Sequence, residues 1–197
     1  MTLGTKMKRV NSQYRIRSEV KMGLITSLLL ALTTLSSYDP YGLTSNRKHK
    51  YVVQIIEFAE KNSYDPYELL AIAITESSIN PKAYSRTKDT GLFQINCKWW
   101  YKKFNYRSIP SCERGMLNPS KNIVAATYIL TRYGQRYNQC RGDLVYRCYN
   151  GGPGWPRSKN KHKIIRYQKV VLERKAFLNK HYKKKIEEIR FLFRDRG

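Results

Sequence analysis

Between Pro66 and Ser77 the chain reads PYELLAIAITES, and the six residues Leu69 to Ile74 carry no polar side chain. Asp65 suits the cap of a helix, Pro66 its first turn, and Glu68 stands three residues after the cap, as a capping box requires. The pair Asn80-Pro81 ends the segment, because the residue before a proline is pushed out of the α region. A helix with no polar side has to be largely buried. Glu76 follows this run after Thr75, and a carboxyl with an apolar wall prefers its neutral form. A carboxyl that is neutral near pH 7 is a general acid. Taken alone, the segment fits equally well a helix-end Glu that reaches water.

Helical patterns dominate the rest of the chain. In YVVQIIEFAEKN, residues Val52, Ile55, Ile56 and Ala59 share one face. Asn118-Pro119 opens a helix whose stripe is Ile123, Ala126, Ile129 and Leu130. A short helix starts at Asp143 and stops at Asn150, where GGPGWP cannot continue it. Residues 82–117 and 151–160 read as irregular loops, and strand signals are few. From Lys159 on, basic residues alternate with Ile164, Val170, Leu172, Phe177, Ile186, Ile189 and Phe193, predicting a long basic helix that packs one stripe on the domain. The expected fold is mainly α, with 197 residues forming one domain plus extensions. The divisions are residues 1–47 (basic arm, apolar segment, linker), 48–170 (the domain) and 171–197 (basic helical tail).

Lys and Arg total 38 against 14 Asp and Glu, a net charge of +24, which draws the molecule to polyanions without choosing among them. No helix-turn-helix, zinc-finger or RNA-binding signature accompanies that charge, so no sequence-specific nucleic acid partner is expected. The uncharged run from Met22 to Leu35 follows a basic stretch and is too short to span a hydrocarbon core of ~30 Å comfortably. It reads as an export signal, with an uncleaved anchor making membrane contact through 22–35 as one alternative and a packing helix as the other. The leader is long for a signal and shows no A-x-A site. Cys97, Cys112, Cys140 and Cys148 lack metal-ligand spacing, so no zinc site is expected. Two disulfides fit better than four free thiols, and the sequence-local pairing, Cys97 with Cys112 and Cys140 with Cys148, is favoured because it clips loops already short.

Two further segments bear on Glu76. DTGLFQIN (89–96) sets the amides of Gln94 and Asn96 between apolar anchors, where they suit a polar substrate or a catalytic carboxyl. CYNGGPG (148–154) joins Tyr149 and Asn150 to glycines that admit a ligand close to the backbone. Each alone is also an ordinary anchored loop or helix stop. Trp99, Trp100 and Tyr101 follow the first segment and suit stacking on sugar faces, with core packing the alternative for any of them and for Trp155.

Together, Glu76-Ser77, Gly91-Leu92-Phe93-Gln94, Asn118-Pro119 with Asn122-Ile123, Ala125-Ala126 and Tyr128-Ile129-Leu130, Tyr149-Asn150 with Gly152, and Tyr167 with Val170 resemble the catalytic domain of the lytic transglycosylases. These belong to the soluble, lysozyme-like (goose-type) superfamily, and the resemblance covers about residues 50–170. Phe93 stands where the family has Met, and Cys148 and Gly151 where it has Ala. The resemblance implies that Glu76 alone cleaves the bond between N-acetylmuramic acid and N-acetylglucosamine in peptidoglycan, leaving a 1,6-anhydro end without a cofactor. It also implies that Gln94 and Asn96 line the cleft, that Tyr149 and Asn150 position substrate or Glu76, that Ser77 supports the helix end, and that Tyr167 donates to the acid. A single carboxylate suits the sequence, since the two-carboxylate glycosidases need a partner ~5–9 Å away and no other acid stands in a motif. A lysozyme-type hydrolase and a catalytically dead glycan-binding or structural component are the alternatives. An export-type leader on such a domain implies a periplasmic or envelope location serving a secretion, conjugation or pilus machine, or else a phage virion.

Overall fold

The computed structural model describes residues 39–194; the basic arm (1–21) and the apolar run 22–35 lie outside the described residues. Helix α1 runs Asn46–Lys61, α2 Pro66–Ser77, α3 Cys97–Trp100, α4 Ile109–Met116, α5 Pro119–Arg136, α6 Val145–Gly151 and α7 Lys161–Arg194. Strands β1 (Asp89–Thr90) and β2 (Ile95–Asn96) pair antiparallel, Asp89 opposite Asn96 and Thr90 opposite Ile95. From Tyr41 on, the described chain is one unit and mainly α.

The starts are chemical. The Asp65 carboxylate accepts the Tyr67 N–H (2.9 Å) and Asn118 Oδ1 the Lys121 N–H (3.1 Å), each ahead of a proline in the first turn. Glu68 does not complete a capping box at Asp65: its carboxyl is turned to the buried Tyr146 of α6. The stop of α2 also differs from expectation. Ser78 (φ +53°) and Ile79 (φ +60°) turn left-handed before the Asn-Pro pair is reached, and Ile79, a β-branched residue strained in that region, is held by burial at 2 % exposure.

All six residues from Leu69 to Ile74 are buried, so α2 is the central helix, packed between α1 and α7. α7 continues without a break past residue 170, the expected domain boundary, and buries Val171, Leu178, Tyr182, Ile186 and Ile189. That boundary therefore marks no structural division. Polar ties fix the same face: Lys175 to Asp65 (2.8 Å), Tyr67 to Glu187 (3.1 Å), and Arg190 to both Glu60 (2.6 Å) and Glu187 (2.8 Å). Around α6, Arg147 donates to Gln168 (2.6 Å), which donates to the Asp143 carbonyl (2.8 Å).

Disulfides join Cys97 to Cys112 and Cys140 to Cys148. The first ties α3 to α4, two short helices inside the region expected to be irregular. The second ties the 138–140 turn to α6 and sits in a small cluster with Trp155 and Ile164. Trp155 is therefore a core residue, its indole N–H on the Gln139 carbonyl (3.2 Å). Gly151 packs closely against the same cluster: a Cβ there would meet Ile164 Cδ1 at 2.4 Å, so that side chain would have to shift.

Candidate active site

A cleft of about 810 Å³ opens where the end of α2, the hairpin, α3, α5 and the end of α6 meet, and Glu76 lines it. The left-handed exit from α2 leaves Glu76 in the last turn of a helix whose apolar body lies behind it. Ser77 secures that end: its hydroxyl donates to the Leu92 carbonyl (2.7 Å) and accepts the Asn80 N–H (3.1 Å). Tyr167, from α7, donates to Glu76 Oε1 at 2.6 Å. Burial pushes the Glu76 carboxyl up to about 7; the Tyr167 hydrogen bond opposes this and the charge of Asp89 adds to it.

The hairpin is held by one buried amide. Asn122, fully enclosed on α5, donates to the carbonyls of Thr90 and Met116 (both 2.8 Å) and accepts the Phe93 N–H (2.8 Å). Gly91 makes room for it: φ is +82°, and a Cβ would meet Asn122 Nδ2 and the Met116 carbonyl at 2.3 Å each. Tyr149 adds a further tie, donating to the Phe93 carbonyl at 2.8 Å. Gln94, itself left-handed (φ +49°), donates through its amide nitrogen to the carbonyls of Gly91 (3.0 Å) and Ala83 (3.2 Å), so its amide oxygen is the group it offers to the cleft. Asn96 lines the cleft with its polar atoms already engaged, accepting the Lys98 N–H (3.2 Å) and donating to Asp89 Oδ1 (2.6 Å).

Glu76, Gln94, Asn96, Tyr149, Asn150, Trp99 and Trp100 thus meet at one cleft, with Ser77 and Tyr167 supporting Glu76 from behind. Trp99 is 72 % exposed there, while Trp100 stacks into an aromatic group with Phe104, Tyr128 and Tyr133. Tyr101 is not part of the lining. Consecutive residues on a one-turn helix are ~100° apart, so three in a row do not share one face.

Sequence reasoning missed Asp89, Lys103, Arg132, Tyr133, Tyr137 and Pro153, all of which line the cleft. Asp89 is a second carboxylate there, but it is immobilised: Asn96 donates to Oδ1, and Ser85 and Thr87 donate to Oδ2. It acts on Glu76 through its charge. Tyr133 and Tyr137 had a readable signal, an i, i+4 aromatic pair across the end of the helix that also carries Asn122, Tyr133 in its last turn and Tyr137 directly after it. Lys103 and Arg132 had none, since their proximity is purely tertiary.

A mainly helical domain with a hydrophobically walled acid at the mouth of a polar, aromatic-rimmed cleft is of the lysozyme-like class. Its fold matches the crystal structure of the 70 kDa soluble lytic transglycosylase from Escherichia coli with a TM-score of 0.51 at 24% identity, over 64% of this chain and 24% of that one. Residues 54–170 match the family of the transglycosylase SLT domain, and the chain belongs to that family. Similar curated proteins include the membrane-bound lytic murein transglycosylases C of Edwardsiella ictaluri (30% identical over 126 residues, 55% of this chain and 33% of that protein) and Salmonella arizonae (28% over 162 residues, 77% and 41%). That of Klebsiella pneumoniae is 26% identical over the same length and shares. The chain therefore spans between a third and about two fifths of the length of the curated relatives it matches.

Proposed function

We propose that the protein is a peptidoglycan lytic transglycosylase in which Glu76 is the only proton-transferring group. The observation that carries this is the pairing of a carboxyl raised to about 7 with a cleft in which the other acid is tied down by three side-chain donors. Neutral Glu76 gives its proton to the glycosidic oxygen as the bond from C1 of N-acetylmuramic acid breaks. The resulting carboxylate takes the proton of the muramyl 6-hydroxyl as that oxygen bonds to C1, which restores the neutral acid and consumes no water. The oxygen of Gln94 and the rim residue Asn150 hold the sugar by hydrogen bonds, and exposed Trp99 offers a ring for a sugar face. Tyr167 fixes the acid, and Tyr149 fixes the loop beside it.

Digestion of purified cell wall followed by mass analysis of the muropeptides tests the reaction type. Anhydro ends, one water lighter than reducing ends, are expected, and reducing muramic acid as the main product would make the protein a hydrolase. Glu76→Gln should lower turnover by at least ~10²-fold with the fold retained by circular dichroism; retained activity would move the acid elsewhere.

The names of the relatives support a cell-envelope location. Among the described residues no helix is long and apolar enough to cross a membrane. We read the run 22–35 as a signal or anchor that brings the domain to the wall for an envelope-spanning machine or a phage, and fractionation of the full chain, with sequencing of its N-terminus, decides between these.

A further inference from the structure

Apart from the cleft, a second groove of about 550 Å³ opens between the exit of α3, the end of α4 and the start of α5. Phe104, Tyr106, Met116, Val124 and Ala125 make its lining mostly apolar, and Lys121 joins them. Tyr106 lies over Gly115, where a Cβ would collide with the phenol, and this packing holds one wall in place. Phe104 stacks on Trp100, 5.8 Å between ring centres, and Trp100 in turn lines the cleft. Groove and cleft thus adjoin through one pair of rings and share no lining residue. Val124 is 53 % exposed, and Leu117, next to Met116 in the chain, is 41 % exposed. The proposed chemistry uses none of these apolar side chains.

Charge decides what covers them. Outside the cleft, the stretch 102–121 carries Lys102, Arg107, Arg114 and Lys121, all exposed, against one acid, Glu113, which accepts from the Tyr84 hydroxyl (3.1 Å). Among the described residues none of these four cations is ion-paired. A second copy of the chain would bring its own net charge of +24 to a basic rim. Residues 1–35 of the chain itself offer one acid, Glu19. A lipid surface takes up apolar side chains that protrude, whereas Met116 and Ala125 are buried within the groove. What fits is a segment of another protein that inserts an apolar side chain between the walls and sets Asp or Glu against the cations. We propose that this groove docks an acidic, apolar-anchored segment of a partner protein, which holds the enzyme while its cleft stays open to substrate.

Random short peptides displayed on phage and selected against the full chain test this, the selected peptides then being synthesised and titrated by fluorescence anisotropy. Enriched sequences should share a Leu, Ile, Phe or Trp beside Asp or Glu, and should bind less tightly as salt rises. Val124→Asp, which sets a charge on the apolar wall, should weaken them by about tenfold or more in Kd. Arg107→Glu/Lys121→Glu should do the same, and a peptide with its acids changed to Lys should recover binding to that variant. Such recovery does not come from a chain that has lost its fold. Enrichment of neutral or basic peptides, no enrichment at all, or binding that survives both variants overturns the docking site. Displacement of the selected peptides by a glycan strand also overturns it, since they would then lie in the cleft. Self-association in sedimentation velocity, or capture by phosphatidylglycerol vesicles, that Val124→Asp abolishes would give the face to a second copy or to lipid, and overturns the proposal as well. No readout uses turnover, so the docking site stands or falls apart from the transglycosylase reading.

Discussion

A carboxyl that gives a proton and takes one back works best with a pKa near ambient pH, and at Glu76 that balance is set by named groups. Burial raises it, Tyr167 lowers it by donating to the ionised form, and the fixed charge of Asp89 raises it again. On the mechanism proposed above, activity requires the neutral acid and therefore falls as pH rises through this pKa. Removing a donor to the carboxylate disfavours the charged form: Tyr167→Phe should move the alkaline limb of kcat/KM to higher pH. Removing a like charge favours the charged form, and Asp89→Asn should move the limb to lower pH. Profiles of both variants beside the wild type, whose limb should centre near pH 7, check the pair; shifts in the same direction would remove Glu76 as the titrating group. The burial of the helix that carries Glu76 was legible in the sequence, because an uninterrupted apolar run announces it, although that run alone left open a helix-end Glu that reaches water. Asp89 was not, because nothing in a linear string shows that Asn96, Ser85 and Thr87 will hold its oxygens inside the same cleft.

At the scale of elements, the hairpin is the part that depends most on a single residue. Its strands are two residues each, too short for alternation to announce them, which is why residues 82–117 read as irregular. The same region hides α4, whose capping box pairs Ser108 with Ser111 rather than with an acid or amide. What gives the 91–94 turn its shape is Asn122, on a helix that was legible from its Asn-Pro start and apolar stripe. The buried amide interrupting that stripe was visible, but its partners, Thr90, Phe93 and Met116, were not. Asn122→Ala leaves an N–H and two carbonyls without their partner, and buried groups so orphaned cost about 1–3 kcal/mol each. We expect a loss of at least ~3 kcal/mol in urea unfolding with an unchanged slope, together with reduced turnover, because the turn also positions Gln94 and accepts the Tyr149 hydroxyl. A loss below about 1 kcal/mol would mean that water replaces the amide and that the turn holds itself.

Among the described residues, the unit from Tyr41 on is closed by α7. The family match ends at residue 170, and the sequence reading set a domain edge there, where the resemblance ends, while expecting the basic helix to pack one stripe on the domain. That stripe is buried: Val171, Leu178, Tyr182, Ile186 and Ile189 lie against α1 and α2, the helix that ends in Glu76. Burying each of the four aliphatic chains contributes about 1.5–3 kcal/mol, so these alone are comparable with the 5–15 kcal/mol that separates a folded domain from its unfolded chain. The ion pairs on the same face are partly exposed and add less. A chain ending at residue 170 keeps Glu76, Gln94, Tyr149 and Tyr167, every residue of the proposed chemistry, yet leaves Leu70 and its neighbours without their cover. It should be recovered aggregated or molten, with exposed apolar surface that binds dye, and without transglycosylase activity. The full-length Leu178→Ala variant gives the graded version, a loss of about 2–5 kcal/mol with kcat little changed in the fraction that stays folded. A truncated chain that folds cooperatively and turns over at the full-length rate would return α7 beyond residue 170 to the status of an appendage.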